Sequence, residues 1–530
     1  MTRKVLFIIP PKHFNLEGSI QDRKFLVEFP YGVLSIASYV EKHCINVVDV
    51  KILDLGISCY QNMSIEEISS VIEHKIKELQ PQFVGISILF NTEFPSASII
   101  AKMVKETEAS PYVIVGGSCA TLMYSEILEC ENIDAVSFSE GEIPWAQLLG
   151  SNDSLAIIDS NRSFITKEKL SNGFIPEASF VENLDEIPPI DFTRVDISSY
   201  RTTRRSILYN SLEGNVDFPL ITTRGCPFNC VFCTASSLHG KKVRFMTADR
   251  VISDARILKE KFGATNVNIM DDQALLYTDR AKEILCGLAE LALIPAFTNG
   301  ININLLDDEM LDCMQLAHVS DLSLALESGS EYVLKQIIDK PLDIHKVAQI
   351  IQKIHARNIP VKAFLVLGLP GEREEHRQET IDFVKSTGID WVTISCAAPI
   401  RGSRLYDICV ENGYILEGSV EKIGKSLSLS LLQTPDFTPE YITEKAYLMN
   451  LELNFLENYH IRNGNYNFML QKMDYILGKY PNHAIAHYIK ANVLKEMGNQ
   501  RGFYESISKF EEITKNDLQW RKYAQYFKLL

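Results

Sequence analysis

Three closely spaced cysteines are the residues of this chain whose type and spacing most clearly indicate chemistry. Cys226, Cys230 and Cys233 follow the pattern C-x3-C-x2-C, and the next cysteine along the chain is Cys286. Thiolates are the soft ligands that iron–sulfur clusters require, and such clusters usually take four of them. A cluster on three cysteines would keep one iron open to a ligand that is not protein. A zinc knuckle, or buried thiols without a metal, is the alternative.

Polar clusters follow the strands predicted around and after these cysteines. Strands are predicted at Pro219–Thr222, Asn266–Met270, Ala296–Asn299, Leu322–Leu326, Val361–Leu367 and Trp391–Cys396, with helices between them. The clusters at their ends are Asp271-Asp272, Glu327-Ser328-Gly329-Ser330, Gly368–Glu372 and Pro399–Ser403. Six strand–helix units indicate a partial (β/α)6 barrel, and active-site groups in such barrels lie at the carboxyl ends of the strands. Each cluster alone would be an ordinary turn, but all of them on one rim indicate an active site.

The N-terminal third also alternates strands and helices. Strands are predicted at Val5–Ile9, Val47–Leu53, Phe83–Leu89, Tyr112–Val115 and Ala135–Ser137, and helices at Tyr31–Lys42, Ile65–Leu79 and Ala97–Thr107. This alternation predicts a doubly wound, Rossmann-like parallel sheet, on which ligands bind outside the carboxyl ends of the strands. Those ends carry Pro10-Pro11, Ser87, Gly116-Gly117 and Ser139–Glu142. No G-x-G-x-x-G follows the first strand, which argues against a dinucleotide.

The composition is that of an ordinary globular protein. The chain has 530 residues, 46% of them hydrophobic, a formal net charge of −15 and eleven cysteines. The negative charge makes nucleic acid an unexpected partner. An odd number of scattered cysteines indicates a reducing compartment, and no apolar run is long enough to span a membrane, so we expect a cytoplasmic protein.

Two further segments complete the predicted α/β architecture. Residues 151–215 are expected to form a proline-stiffened linker, and residues 433–530 an α-helical domain. Gly464-Asn465 and Gly498-Asn499 recur at a spacing of 34, which is the tetratricopeptide period. The helical domain is therefore either tetratricopeptide-like, with a docking face for a peptide or partner, or a generic helical cap.

The cysteine loop, Arg224-Gly225-Cys226-Pro227-Phe228-Asn229-Cys230-Val231-Phe232-Cys233, resembles the signature loop of the radical S-adenosylmethionine (radical SAM) enzymes. The resemblance implies a radical SAM core at residues 216–432 and a [4Fe–4S] cluster on the three cysteines. S-adenosylmethionine would chelate the open iron, and an electron from the cluster would cleave it to a 5′-deoxyadenosyl radical. The cofactor contacts that it implies come from Phe232, Asp272, Glu327, Ser328, Gly329, Gly368 and Pro370.

The first 150 residues are similar to the cobalamin-binding domain that precedes the barrel in part of this family. The similarity lies in Val84-Gly85-Ile86-Ser87, Val113–Ser118 and Glu140-Gly141-Glu142. It implies cobalamin contacts from Ser87, Gly116, Gly117 and Glu140. The chain departs from many cobalamin proteins because it has no D-x-H-x-x-G motif, so the cobalt is expected to have no histidine ligand; His13, His43 and His74 lie in other contexts.

The resemblance implies a methyltransferase that uses the adenosyl radical and methylcobalamin to methylate an unactivated carbon. A radical cyclase or rearrangement enzyme on the same scaffold is the alternative, and a non-catalytic cluster or cobalamin sensor is a third hypothesis. A methylthiotransferase is disfavoured because Cys44, Cys59, Cys119 and Cys130 are too dispersed for a second cluster. The expected partners are a flavodoxin- or ferredoxin-like electron donor and a small-molecule or peptide substrate.

Overall fold

The computed structural model describes residues 3–11, 28–44, 48–57, 60, 63–200, 216–416 and 427–530. Several positions named above lie outside this part of the chain: His13, Val47 at the start of the second predicted strand, Cys59, and residues 201–215 of the predicted linker. Among the described residues, no helix has both the length and the apolar character needed to cross a membrane.

The N-terminal unit is a doubly wound sheet, which confirms the predicted fold class. Its strands are β1 (Arg3–Ile9), β2 (Val48–Asp54), β3 (Phe83–Ser87), β4 (Tyr112–Gly116), β5 (Ala135–Ser137) and β6 (Phe164–Thr166). Its helices are α1 (Tyr31–His43), α2 (Ile65–Leu79), α3 (Phe94–Glu106), α4 (Ser118–Leu122), α5 (Tyr124–Ile127), α6 (Glu142–Gly150), α7 (Ser154–Ser160) and α8 (Lys167–Ser171). The strand order is β2-β1-β3-β4-β5-β6, with β6 antiparallel to β5 and the other pairs parallel. This is the flavodoxin-like order, whose ligand edge lies at the carboxyl ends of the strands.

Local sequence explains these elements. Helix α2 begins at Ser64, whose side chain accepts the Glu67 amide while Glu67 caps in return. The helix buries Ile68, Ile72 and Ile76 at a spacing of four residues, which places them on one face against the sheet. The sheet also extends past residue 150, because the three-residue strand β6 pairs with β5. A strand this short gives no periodic signal, so the predicted linker begins inside the observed sheet.

The middle of the chain forms the barrel. Its elements are β7 (Asp217–Leu220), β8 (Thr223–Arg224), α9 (Ala235–His239), β9 (Arg244–Phe245), α10 (Ala248–Phe262), β10 (Asn266–Ile269), α11 (Thr278–Glu290), β11 (Ile294–Phe297), α12 (Asp308–Leu316), β12 (Leu322–Glu327), α13 (Val347–His355), β13 (Val361–Leu367), α14 (Glu374–Thr387), β14 (Trp391–Cys396) and α15 (Arg404–Glu411). Strands β11-β10-β7 and β12-β13-β14 form two parallel sheets, and a parallel bridge from Ile301 to Leu324 connects them. These six strands are the predicted partial barrel, and their carboxyl ends share one rim.

The C-terminal region is helical. It contains α16 (Pro439–Leu451), a π-helical turn at Glu452–Leu456, α17 (Tyr459–Arg462), α18 (Tyr466–Lys479), α19 (Ala484–Glu496), α20 (Gln500–Asn516) and α21 (Leu518–Tyr526). Asn465 and Asn499, which are 34 residues apart, cap the N-termini of α18 and α20. The region packs on the open edge of the barrel, where the Asn454 amide donates to the Val392 carbonyl and accepts from its N–H, both at 2.8 Å. The side chain thereby satisfies the backbone groups that edge strand β14 would leave unpaired.

Candidate functional site

The three-cysteine loop connects β8 to α9 and is held by backbone contacts. The Cys226 amide donates to the Gly240 carbonyl at 3.1 Å, and the Gly225 amide donates to Asp272 Oδ2 at 2.9 Å. Gly225 has a φ of +100°, and a Cβ there would lie 2.4 Å from the Lys242 carbonyl oxygen. The loop therefore needs glycine at this position, and Asp272 fixes its first turn.

Asp271, the neighbour of Asp272, anchors the strand before the loop. It is buried and accepts the Thr222 amide at 2.5 Å and the Thr222 hydroxyl at 2.6 Å. Burial raises the pKa of this carboxyl, and the Thr222 hydrogen bonds partly offset the effect. The acidic pair thus ties the ends of β7 and β10 to the cysteine loop. Direct contact of Asp272 with S-adenosylmethionine stays a prediction.

The three thiols lie together in the loop but in different environments. Cys226 is buried, Cys230 is half-buried and Cys233 is exposed. Burial raises the pKa of all three thiols, that of Cys230 to about 11, while the positive charge of Lys340 acts in the opposite direction. Gln273 Nε2 donates to Cys226 Sγ at 3.3 Å. Metal binding would therefore release protons from this loop.

The donor set fits a cluster better than a single ion. Within the described ranges, no three metal-binding side chains converge on one point. A [4Fe–4S] cluster does not need such convergence, because each cysteine binds a different iron. Phe232, in front of the last cysteine, is half-buried and packs against the barrel core.

Glu327 ends β12 in a backbone conformation that is rare for its residue type. Its φ is +68°, and the pairing register of β12 with β13 shifts between Ala325 and Glu327. Residues other than glycine adopt this region at an energetic cost and do so mainly at functional sites. The Glu327 carboxylate is buried and lies 3.1 Å from Lys340 Nζ. The bulge thus places the Glu327 carboxylate, paired with the Lys340 ammonium group, near Cys230, whose pKa the carboxylate raises and the ammonium group lowers.

The two residues after Glu327 are fixed by Thr380 of α14. The Thr380 hydroxyl accepts the Gly329 amide at 3.1 Å and lies 3.1 Å from the Ser328 hydroxyl. A Cβ at Gly329 would lie 2.5 Å from the Phe383 side chain, so only glycine packs here without a shift. The buried Ser330 hydroxyl has no hydrogen-bond partner among the described residues. An unpaired buried hydroxyl beside a strained carboxylate fits a polar ligand at this rim.

The turn after β13 is built around Glu372. Glu372 is fully buried, and its Oε2 accepts the Gly368 amide at 2.6 Å and lies 3.4 Å from Arg377 Nε. Burial raises the pKa of Glu372 to about 7, and the Arg377 charge limits the shift. Gly368 has a φ of +80°, and the next rim residue, Pro370, is half-buried. Glu372 therefore shapes the backbone that the resemblance assigns to S-adenosylmethionine.

The carboxyl edge of the N-terminal sheet carries small residues on three adjacent strands. Ser87 of β3 pairs with Gly116 of β4, and Ser137 ends β5 next to them. A Cβ at Gly116 would lie 3.5 Å from the Ser137 Cβ, so this edge has little side-chain bulk. The buried Ser137 hydroxyl finds no hydrogen-bond partner in the described part of the chain. Such an edge fits a bulky ligand with polar substituents, as cobalamin is.

Gly117 follows β4 at the same carboxyl edge of the sheet. Its φ is +102°, and a Cβ would lie 2.3 Å from the Ile88 carbonyl oxygen. The same Ile88 carbonyl accepts the Cys119 amide, and the Ile88 amide donates to Gly116. Gly117 thus allows two strand ends to approach each other at backbone distance. Its direct contact with cobalamin stays a prediction.

Glu140 lies in a buried charge bridge between the two units, formed by Glu140, Glu142, Arg224 and Arg244. Arg224 lies 3.0 Å from Glu140 and 2.7 Å from Glu142, and Arg244 binds Glu140 through both of its terminal nitrogens. The four side chains are between 1% and 10% exposed. Burial opposes ionisation of Glu140, but Arg224 and Arg244 outweigh it and hold its pKa below the usual range. Both carboxylate oxygens of Glu140 are occupied by guanidinium groups, and its predicted contact with cobalamin remains untested.

The charge bridge was missed by the sequence analysis. Arg224 stands beside the cysteine loop and Glu142 in the quoted Glu140-Gly141-Glu142 motif, but no local pattern indicates that residues 82 positions apart pair. Ser137 was missed as well, and its only signal is a serine inside an apolar strand.

A second contact between the units involves the loop after β14. Arg401 forms an ion pair with Glu126 of α5, and a Cβ at Gly402 would lie 2.4 Å from the Leu122 side chain. The Ser237 hydroxyl of α9 donates to the Gly402 carbonyl at 2.8 Å. Helices α4 and α5 of the sheet unit, helix α9 and the Pro399–Ser403 loop therefore meet at one interface.

Family models match both units of the chain. Residues 220–384 match the radical SAM superfamily, and residues 26–149 match the B12 binding domain. The chain is 26% identical to an uncharacterized methyltransferase of Pyrococcus horikoshii, over 84% of this chain and 92% of that protein. It is also 26% identical to the cytidylyl-2-hydroxyethylphosphonate methyltransferase of Streptomyces wedmorensis, over 73% of this chain and 79% of that protein.

Two solved structures share the fold. The cobalamin-dependent S-adenosylmethionine radical enzyme OxsB, with aqua-cobalamin and S-adenosylmethionine bound, matches with a TM-score of 0.65 at 13% identity, covering 100% of this chain and 81% of that one. The methyltransferase TsrM of Kitasatospora setae, with cobalamin and a [4Fe–4S] cluster bound, matches with a TM-score of 0.59 at 16% identity, covering 78% of each chain. The predicted family is confirmed by the two family models: the chain combines a radical SAM domain with a B12 binding domain, and the predicted [4Fe–4S] cluster, S-adenosylmethionine and cobalamin are the cofactors of these two kinds of domain.

Proposed function

We propose that this enzyme transfers a methyl group to an unactivated carbon of a small-molecule or peptide substrate bound between the barrel rim and the sheet edge. The observation that carries the proposal is the meeting of the cysteine loop and the sheet edge at one interface, where Ser139 Oγ donates to the Leu238 carbonyl at 2.8 Å. Relatives named as methyltransferases that match most of this chain support the same conclusion.

When bound, the cluster and S-adenosylmethionine supply an adenosyl radical, and cobalamin supplies the methyl group. The residues of the chain bind and orient these groups. Cys226, Cys230 and Cys233 hold the cluster, and Asp272 keeps their loop in place through the Gly225 amide. Glu327 would hold polar groups of S-adenosylmethionine, because its carboxylate lies at the rim beside Lys340.

The other predicted contacts are with backbone and small side chains. Ser328, Gly329, Gly368 and Pro370 would line the ribose and adenine part of the pocket. On the facing edge, Ser87, Gly116 and Gly117 would lie against cobalamin, because their lack of bulk lets backbone approach a large ligand.

The reaction needs a reductant, and we propose a flavodoxin- or ferredoxin-like protein as the electron donor. The net charge of −15 argues against a nucleic acid as substrate. An oxygen-labile cluster and scattered cysteines favour the cytoplasm as the place of action.

A radical cyclisation or rearrangement is the second candidate, because a relative that matches 63% of this chain is named an anaerobic magnesium-protoporphyrin IX monomethyl ester cyclase. The test uses S-adenosylmethionine with a deuterated methyl group, a low-potential reductant and candidate substrates under anaerobic conditions. Methylation predicts S-adenosylhomocysteine and a deuterated product together with 5′-deoxyadenosine. Formation of 5′-deoxyadenosine without S-adenosylhomocysteine and without a deuterated product would contradict methyl transfer and favour the second candidate. Absence of 5′-deoxyadenosine would favour a non-catalytic sensor.

A further inference from the structure

The charge bridge between the two units consists of buried ion pairs, which are not required merely to hold two protein surfaces together. Glu140 and Glu142 of the sheet unit face Arg224 and Arg244 of the barrel unit, so two negative charges balance two positive ones in a buried interface. Apolar side chains of similar volume hold two surfaces together at least as well as buried ion pairs do. Ion pairs are directional as well, because a guanidinium group forms its hydrogen bonds to a carboxylate in one geometry, which fixes the relative position of the two units.

The bridge is also placed where relative position matters for the proposed reaction. Glu140 follows β5, whose last residue, Ser137, belongs to the edge assigned to cobalamin. Arg224 is the last residue of β8 and stands two positions before Cys226. Each end of the bridge is therefore within a few residues of a cofactor site: Glu140 is close to the cobalamin edge, and Arg224 is close to the cysteine loop.

Further polar contacts at this interface fix the same placement. The Ser35 hydroxyl of α1 donates to Glu142 Oε1 at 2.6 Å, so Glu142 is oriented from its own unit. Arg244 donates to the carbonyl oxygens of Val181, in the segment between the two units, and of His239 in α9, at 2.9 and 3.1 Å, so its orientation does not depend on Glu140 alone. Glu142 and Arg244 are thus each held by contacts outside the four-residue bridge.

We propose that Glu140, Glu142, Arg224 and Arg244 are positioning residues that set the distance between the cluster and cobalamin, and thereby couple radical formation to methyl transfer. The inference rests on the proposed function in that both cofactors must act on one substrate. A substrate carbon between a radical source and a methyl donor tolerates little displacement, since a misplacement of about 1 Å can lower a rate about 100-fold.

The test is the variant Glu142→Gln, which removes one charge and keeps the side-chain shape. Pulsed electron paramagnetic resonance measures the distance distribution between cobalt(II) in cobalamin and the reduced cluster, without substrate or turnover. We expect one narrow distribution in the wild-type enzyme and a broad or shifted one in the variant. In turnover, methylated product per deoxyadenosine should fall about 10- to 100-fold while deoxyadenosine formation stays within about threefold.

Glu452→Gln is the matched control, because it breaks a partly buried ion pair with Lys385 that joins the C-terminal region to α14, outside the interface between the sheet unit and the barrel. It should leave the distance distribution unchanged. If Glu142→Gln does not load both cofactors, the milder Ser35→Ala, which removes one hydrogen bond to Glu142, is measured in its place. An unchanged distance distribution in the loaded variant overturns the proposal, because the bridge would then not set the spacing of the cofactors. Failure of both variants to load the cofactors also overturns it, because the bridge would then be needed only for folding. The distance measurement does not depend on methylation, so a failure of the proposed function would be seen separately.

Discussion

The substitution Gly117→Ala tests whether cobalamin lies on the carboxyl edge of the N-terminal sheet. Gly117 has a φ of +102° and a ψ of 177°, a region that side chains other than glycine essentially never occupy. Forcing a residue into it costs about 1–3 kcal/mol. The new Cβ would lie 2.3 Å from the Ile88 carbonyl oxygen, and overpacking of this kind costs about another 1–3 kcal/mol. The variant should therefore be less stable by about 2–6 kcal/mol.

The strain acts locally, because Ile88 and Gly117 join the ends of β3 and β4. Relief of the clash moves one of these strand ends by about 1 Å, beside Ser87 and Gly116. Each 1.4 kcal/mol of strain that ligand binding must overcome lowers affinity about tenfold. We expect cobalamin to bind about 10- to 100-fold more weakly, while the cluster in the barrel and reductive cleavage of S-adenosylmethionine are retained.

The assay is anaerobic reconstitution with cobalamin and iron, followed by quantitation of cobalamin and iron per chain. Gly173→Ala is the matched control in the same unit: its φ is +74°, and nothing lies within 4 Å of the added Cβ. It should lose about 1–2 kcal/mol of stability and no cobalamin affinity. Wild-type cobalamin affinity in a folded Gly117→Ala variant would refute the assignment of cobalamin to this edge.

Two further predictions concern the barrel and its C-terminal cap. Because the pKa of buried Glu372 is raised from 4.5 to about 7, the unfolded chain loses this proton first as the pH rises, so the free energy of unfolding should fall by about 3 kcal/mol between pH 4.5 and 7. In urea denaturation, the free energy of unfolding of Glu372→Gln should not fall in this way between pH 4.5 and 7. The same pH dependence in the wild type and the variant would contradict a raised pKa for Glu372. Asn454→Leu leaves the Val392 N–H and C=O without their side-chain partner, at a cost of about 1–3 kcal/mol for each group. Hydrogen exchange at β14 should accelerate in this variant but not in the exposed control Asn463→Leu, and unchanged protection would show that Asn454 does not hold the cap.

Features that depend on local pattern were predictable from the sequence. The alternation of strands and helices predicted the N-terminal sheet and the six strands of the barrel, and the cysteine spacing indicated a cluster with an open iron. Glu327 and Gly368 could be placed on the barrel rim because they follow parallel strands, whose carboxyl ends meet there. The spacing of 34 between Asn465 and Asn499 corresponds to two equivalent helix caps.

Features that depend on distant pairing were not predictable. Arg224 and Arg244 look like ordinary loop cations in the sequence, and only the folded chain shows that they meet Glu140 and Glu142 in a buried interface. The same applies to Asn454, whose amide substitutes for a neighbouring strand. Side chains of this kind carry no periodicity, because their partners are set by tertiary packing rather than by the local sequence.

The most direct test of the central claim is a comparison of the wild-type enzyme with the variant in which Cys226, Cys230 and Cys233 are all alanine. Both are reconstituted anaerobically with iron and sulfide and then supplied with S-adenosylmethionine and a low-potential reductant. The wild-type enzyme should bind iron and sulfide in equal amounts and form 5′-deoxyadenosine, and the triple variant should do neither while keeping its cobalamin. Deoxyadenosine formed at the wild-type rate by the triple variant would contradict the account.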